Sequence, residues 1–267
     1  MELIHALYLG LLQGLTEFLP VSSSGHLSLA QALFDMNVSS GVVFEIVVHF
    51  GTLCSIVIYY REIIGKLFKA IPIWLEPKLA MQHSEAKLIA FILISMIPAM
   101  IIAFLFKNQI EEWFGNPVIV SSMLILTGII LYGTKFQKDG TEELTPKKSF
   151  FIGLAQAFAM LPGISRSGST ISMALFLGMK REDAANFSFL MVIPVISGAM
   201  ILAMKDLSES ANSSAELLPL AAGFIASFIS GYLALNLLIG VLKKYGIYPF
   251  AWYCWAVGIS SLIWFLR

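Results

Sequence analysis

"LTEFLPVSSSGHLSL", residues 15–29, sets a carboxylate, a proline, three consecutive serines and a histidine inside a chain that is otherwise strongly apolar. Polar groups at that density are at odds with a simple transmembrane helix. Proline removes a backbone donor and clashes with the preceding turn, and hydroxyl residues favour the start of a new helix. The stretch therefore reads as the tip of a broken helical hairpin. One helix ends just before Pro20 and a second begins in the serines. A broken helix at membrane depth leaves backbone N–H and C=O groups to be satisfied, so it is tolerated only where it packs in protein or lines a wet cavity.

The surrounding chain makes membrane depth the correct frame. Of its 267 residues 58% are hydrophobic and only 13% charged, against about 25% charged in soluble domains, which identifies an integral membrane protein. Seventeen basic and seventeen acidic residues cancel, so the basic excess that nucleic acid requires is missing and no nucleic-acid partner is expected. Cys54 and Cys254 lie in apolar runs and read as buried small hydrophobes. The first twenty residues lack a basic n-region and are interrupted by His5, Gln13 and Glu17, so no cleavable signal peptide is expected.

Six further runs approach the ~20 apolar residues that span a bilayer: 42–60, 88–106, 117–134, 183–204, 216–240 and 249–266. Residues 2–36 and 149–178 are apolar but interrupted, and each reads as two half-length helices. The chain also repeats itself. Gly10, Gln13, Ser22, Ser24, Gly25 and Phe44 recur 143 residues later as Gly153, Gln156, Ser165, Ser167, Gly168 and Phe187, while Pro20 and Pro162 are 142 apart. Each half is then a broken hairpin followed by three spans, and an odd number of crossings makes the second copy enter from the opposite side. The expectation is a single all-α membrane domain, 1–267. It has six transmembrane helices and two broken, re-entrant hairpins in an inverted-topology repeat: repeat one 1–134, linker 135–148, repeat two 149–267. The loops 61–87, 135–148, 179–182 and 241–248 hold thirteen of the seventeen Lys and Arg; the opposite side holds Lys107, Lys205 and Arg267. The positive-inside rule puts the first group in the cytoplasm and both termini outside it.

The chemistry is concentrated at the two tips. Gln13 and Glu17, four apart, share a helix face, and a carboxylate facing a bundle interior marks a functional site more often than an interfacial snorkel. Ser22, Ser23, Ser24 and Gly25 open the next half-helix, whose free N–H groups suit an anion. With His26 and Glu17 beside them they outline nucleophilic or general-base catalysis, beyond what a serine cap alone would require. The second tip, "PGISRSGST" at 162–170, carries Arg166 among Ser165, Ser167, Ser169 and Thr170. A guanidinium there is a clamp for phosphate oxygens, with Gly163 and Gly168 allowing close backbone approach. The alternative is a structural ion pair from Arg166 to Glu17 or Glu45. Glu45 and His49 share a face of the first span and read equally as cavity lining or as a buried polar pair. A carboxylate beside a diphosphate often recruits Mg²⁺ or Ca²⁺ through oxygen ligands; Glu17 and Gln13 are the candidate ligands, a thin cage.

"QGLTEFLPVSSSGH" and "LPGISRSGST" resemble the two signature motifs of the bacterial undecaprenyl-diphosphate phosphatase family, the bacitracin-resistance proteins. "VVHFGTL", "EEWFGNPVIV", "FSFLMVIPVISGA" and "KYGIYPFAWY" extend the resemblance over nearly the whole chain. The resemblance implies a multi-pass protein of the bacterial plasma membrane that removes the terminal phosphate of undecaprenyl diphosphate, recycling the carrier for peptidoglycan and other envelope polymers and conferring bacitracin resistance. It places the family's Glu/Gln-x-x-x-Glu motif on Gln13 and Glu17, its serine stretch and histidine on Ser22, Ser23, Ser24 and His26, and its second motif on Pro162, Gly163, Ser165, Arg166 and Ser167, with Thr170 beyond. Ser23, His26 and water remain alternative nucleophiles at this stage. Membrane lipid is the expected surrounding and a homodimer the candidate assembly. The rival reading is a transporter or flippase for a prenyl phosphate lipid, because midplane broken helices are also transporter architecture.

Overall fold

A computed structural model describes residues 2–34, 41–80, 82–209 and 217–267. Twelve α-helices run through these residues: α1 Leu3–Phe18, α2 Ser23–Leu33, α3 Gly41–Tyr59, α4 Arg61–Ala70, α5 Pro77–Ala80, α6 Ser84–Phe114, α7 Pro117–Gly133, α8 Pro146–Phe158, α9 Arg166–Phe176, α10 Arg181–Glu209, α11 Leu217–Tyr245 and α12 Phe250–Phe265. Among the described residues the only β pairing is an isolated bridge between Glu142 and Met179. All six apolar runs named above coincide with helices. By length and composition α6, Pro117–Phe136 and α11 each suffice to cross a membrane, and α3 qualifies together with Arg61–Leu75 across an 81° bend; α12 is a shorter apolar helix.

The outward faces explain the composition. On α1, Leu7, Leu11 and Leu15 are exposed in one row, while Ala6, Gly10, Gln13 and Glu17 are buried on the opposite face. Apolar side chains outside and a carboxylate inside reverse the soluble pattern and suit lipid around the bundle.

The segment 61–87, expected as a loop because of its charges, is helical over much of its length. Ile63, Ile64 and Leu67 of α4 pack on the core while Glu62, Lys66 and Lys69 stay out, the one-sided pattern of a helix lying along a membrane surface. The 81° bend turns α4 out of the path of α3.

Both helix breaks fall where expected, giving the pairs α1–α2 and α8–α9, although α1, at 16 residues, is longer than a half-length helix. The eleven residues of α2 and of α9 reach only about 17 Å, roughly half the hydrocarbon thickness. Ser22 caps α2 by accepting from the Gly25 N–H at 3.2 Å, and Ser165 caps α9 by accepting from the Gly168 N–H at 3.0 Å. The one-residue difference between the tips has a backbone consequence. In the second tip Gly163 takes φ +95°, a region that glycine enters without penalty. The first tip has one residue fewer between proline and cap, and Ser22 itself is driven to φ +70°, a strained conformation for a non-glycine residue.

Packing follows a reciprocal pattern. The α1 helix lies along α11 and α8 along α6, while α7 packs on α12 and α3 on α10. Small residues permit the close approaches: a Cβ on Gly10 would meet the Gly223 carbonyl oxygen at 2.5 Å, and one on Gly153 would meet that of Ser95 at 2.3 Å. One relation is unequal. The α3 helix packs closely along α11, whereas α6 and α10 touch sparingly, and a cavity opens between them.

Candidate active site

The two tips meet. A Cβ on Gly25 would come within 3.0 Å of the Gly163 Cα, Ser167 Oγ donates to the Leu19 carbonyl at 3.3 Å, and Arg166 pairs directly with Glu17. The ion pair anticipated as the structural alternative is therefore present. Its two partners, 149 residues apart, come from different hairpins.

Glu17 is the hub. Its Oε1 accepts from the Arg166 guanidinium, and its Oε2 accepts from Ser23 Oγ at 2.6 Å and from Gln13 Nε2 at 2.8 Å. The carboxylate is 1% exposed, and three donors offset much of the cost of burying it. Ser23 thus has its hydroxyl proton aimed at a carboxylate, the arrangement that activates a nucleophile. His49 joins from α3. Its Nδ1 lies 2.8 Å from the Glu45 carbonyl oxygen one turn earlier, which requires the proton on Nδ1, and its Nε2 faces Glu17 Oε2 at 3.8 Å. Of the two readings left for Glu45 and His49, cavity lining is the one the geometry bears out: both side chains line it, and the contact runs to Glu17 rather than between their side chains.

His26 is placed differently. Its Nδ1 sits 2.8 Å from the carbonyl oxygen of Ser22 and its Nε2 2.9 Å from the Tyr253 hydroxyl of α12. A carbonyl only accepts, so Nδ1 carries a proton, and Nε2 is the nitrogen left to pair with the Tyr253 hydroxyl. Both nitrogens are engaged, and the ring stacks on Tyr253 at 5.5 Å. Among the described residues that line the cavity are Ser22, Ser23 and Ser24 but not His26. The histidine grips the strained residue Ser22 from behind.

The second tip is pinned by a residue that sequence reading passed over. Thr127 of α7 donates to the Gly163 carbonyl at 2.9 Å and accepts from the Ser165 N–H at 3.0 Å. Thr170 bonds the Ser188 hydroxyl at 2.6 Å, tying α9 to α10. Thr127 lies in an unremarkable apolar run, so no local signal distinguished it.

The cavity is about 890 Å³. Its polar end holds Glu17, Ser22, Ser23, Ser24, His49 and Arg166, with the N-termini of α2 and α9 converging there. Its walls are apolar: Met96, Ala99, Met100 and Ala103 from α6, and Pro194, Val195, Ile196, Met200 and Ile201 from α10. A cation held at one end and an apolar trough behind it suit an amphiphile with an anionic head.

A protein-built metal cage does not fit these residues. Both Glu17 oxygens are taken by nitrogen and hydroxyl donors, and Gln13 presents its Nε2 to Glu17. The Gln13 Oε1 is buried without a partner, but Gln13 is not among the cavity-lining residues. Among the described residues no three His, Cys, Asp or Glu side chains gather as a metal site.

This geometry can be set against known proteins. Residues 6–260 match the family model described as bacitracin resistance protein BacA. A protein of Christiangramia forsetii named undecaprenyl-diphosphatase is 41% identical, the match covering 98% of each chain. One of Bacteroides fragilis with the same name is 43% identical over 98% of each chain, and one of Methanobrevibacter smithii is 37% identical over 97% of this chain and 96% of its own. The residues that carry the two tips and the cavity lie inside the matched span, and the chain belongs to the bacitracin resistance protein BacA family.

Proposed function

We propose that the protein hydrolyses undecaprenyl diphosphate to undecaprenyl phosphate and inorganic phosphate in the bacterial plasma membrane, returning the carrier to envelope polymer synthesis and lowering the diphosphate that bacitracin binds. The observation that carries the reading is the Ser23 hydroxyl bonded to Glu17 at 2.6 Å, with Arg166 on the other carboxylate oxygen and an apolar trough leading away. The names of the relatives support it.

In this reading the prenyl tail lies in the cleft between α6 and α10 and the diphosphate reaches the tips. A guanidinium has five donors, so Arg166 keeps Glu17 with one edge and takes the distal phosphate with the rest. Ser23 attacks that phosphorus, its proton passes to Glu17, and the bond to the bridging oxygen breaks with the electron pair leaving on undecaprenyl phosphate. Water then attacks the phosphoserine. The phosphorus–Ser23 bond breaks, Ser23 recovers the proton from Glu17, and the remaining protons leave with inorganic phosphate. Phosphoryl transfer asks mainly for positioning and charge neutralisation, which the α2 and α9 N-termini and Arg166 supply. Mg²⁺ or Ca²⁺ enters this reading only as a companion of the diphosphate, since Mg²⁺ is commonly held through substrate phosphates; no step runs through it.

The reciprocal packing of α1 on α11 and α8 on α6 supports two structural repeats of inverted topology with six spans, and the charge bias of the loops supports extracytoplasmic termini. The test is phosphate release from purified protein given a long-chain prenyl diphosphate in detergent, with and without Mg²⁺ or Ca²⁺. Release is expected; lipid bound without release would instead support a carrier.

His26 is assigned the role of holding Ser22, and so the Ser23 backbone, in place. Tyr253→Phe leaves the Nδ1 bond to Ser22 intact and is expected to cost less than about tenfold in kcat/KM, the worth of one ordinary hydrogen bond. His26→Ala, which removes the side-chain bond and leaves the Ser22 carbonyl its backbone partner, the His26 N–H at 3.1 Å, is expected to cost more than that. Phosphate-release kinetics on the two variants check this; equal, large losses in both would instead indicate that the tyrosine–histidine pair takes part in proton transfer.

A further inference from the structure

Gln156 is the repeat counterpart of Gln13, yet the two side chains have different fates. Gln13 donates to Glu17 one turn later; the corresponding position one turn after Gln156 is Met160, which offers at best a weak thioether acceptor. Gln156 is 3% exposed; part of the residue lines the cavity, while its Nε2 and Oε1 are themselves shielded and have no hydrogen-bond partner among the described residues. A buried amide with both ends unsatisfied is costly and rare enough in folded proteins to require a reason. An apolar tail cannot satisfy it. Only an oxygen-bearing ligand or water can.

Its place in the cavity indicates which oxygen. Gln156 lies one turn before the second tip, on the helix that packs against α6, and Ala159, Met160 and, from α6, Met96 line the cavity with it. Its order on the helix, with Ala159 and Met160 between it and the tip, sets it behind the polar end of Glu17, Ser23 and Arg166, at the seam with the apolar trough. A prenyl diphosphate whose distal phosphate is at Ser23 and whose tail is in the trough has its lipid-linked phosphate at that seam.

We infer that Gln156 is a specificity residue whose amide, turned outward into the cavity, donates an N–H to an oxygen of the lipid-linked phosphate, an assignment that rests on the phosphatase reading above. A neutral donor suits that position, because a second cation there would hold the monophosphate product as firmly as the substrate. The polar difference between the tips then has a division of labour: the first holds the nucleophile and its base, and the second supplies the charge for the departing phosphate and the amide for the one that stays on the lipid.

The test compares full-length native protein with Gln156→Leu and Gln156→Glu in detergent, measuring equilibrium binding of undecaprenyl monophosphate, inhibition by inorganic phosphate, and thermal stability. In Gln156→Leu the affinity for the prenyl monophosphate is expected to fall about tenfold or more, as for loss of a hydrogen bond to a charged group. Inhibition by inorganic phosphate, which meets Arg166, should move less than about twofold. The melting temperature should hold or rise, since leucine removes two unsatisfied polar atoms. In Gln156→Glu the added negative charge should weaken monophosphate binding further. Unchanged monophosphate affinity, equal loss for both ligands, or a lowered melting temperature with no change in affinity each overturn the assignment; the last would make Gln156 a structural residue. Because the readout is binding, native protein that binds the lipid without releasing phosphate would refute the phosphatase reading separately.

Discussion

Replacing Arg166 with alanine is expected to lower kcat/KM for prenyl diphosphate by about 10³-fold or more, the loss seen when an arginine that neutralises a transferring phosphoryl group is removed. The same change should destabilise the protein. Glu17 is 1% exposed, and taking away one partner of a buried ion pair costs about 3–5 kcal/mol because the other charge is left uncompensated. Two variants separate these effects. Glu17→Gln combined with Arg166→Ala removes both charges and should recover much of the melting temperature while remaining inactive. Arg166→Lys retains one positive charge but not the planar fork that spans a carboxylate and a phosphate; it should keep most of the stability and only a small part of the turnover. Phosphate release and thermal melts in detergent read both quantities. An alanine variant retaining more than about a tenth of native kcat/KM would show that Arg166 serves the fold and not the phosphate.

What the sequence disclosed of this site, and what it withheld, follows from the range of each interaction. The hairpin breaks at Pro20 and Pro162, the serine caps and the shared face of Gln13 and Glu17 are local, and each appears in the structure as the residue types dictate. The meeting of the tips was legible because repetition at a fixed displacement implies two equivalent elements. The direction of His26 was not. Its partner Tyr253 lies 227 residues away, and no local pattern says which side of α2 meets α12. His49 was visible as sharing a face with Glu45, but its approach to Glu17 depends on how α3 seats against α11, where a Cβ on Gly51 would strike the Ser227 hydroxyl at 2.1 Å. The amphipathic α4 was hidden by its charges, which dominated the reading of 61–87 even though its apolar residues keep helical spacing. The separation of α6 from α10, which opens the cavity, has its nearest sequence signal in Pro98 and Pro194 inside those helices. Proline announces a kink but not the direction in which the helix leans.

Ser23→Ala is expected to be the most selective of the inactivating changes. The hydroxyl touches Glu17 and lines the cavity, so its removal takes away the attacking oxygen while leaving Arg166, the helix N-termini and the apolar trough in place. Turnover should fall by about 10³-fold or more, as when a nucleophile is deleted from an otherwise intact site, and the prenyl diphosphate should still bind. Ser24, whose hydroxyl among the described residues approaches only that of Ser22 at 3.5 Å, provides the contrast: Ser24→Ala should lose about tenfold at most. Glu17→Gln distinguishes base from nucleophile, because an amide can still hold Ser23 in position but cannot take its proton. Covalent chemistry at Ser23 makes a further demand that direct attack by water does not. Acid quenching of native protein during turnover of a lipid labelled in its distal phosphate should leave label on the peptide containing Ser23, and Ser23→Ala should leave none. If Ser23→Ala keeps turnover within about tenfold of native while Glu17→Gln abolishes it, the attacking oxygen belongs to water activated by Glu17, and the serine is a hydrogen-bond donor that orients the carboxylate.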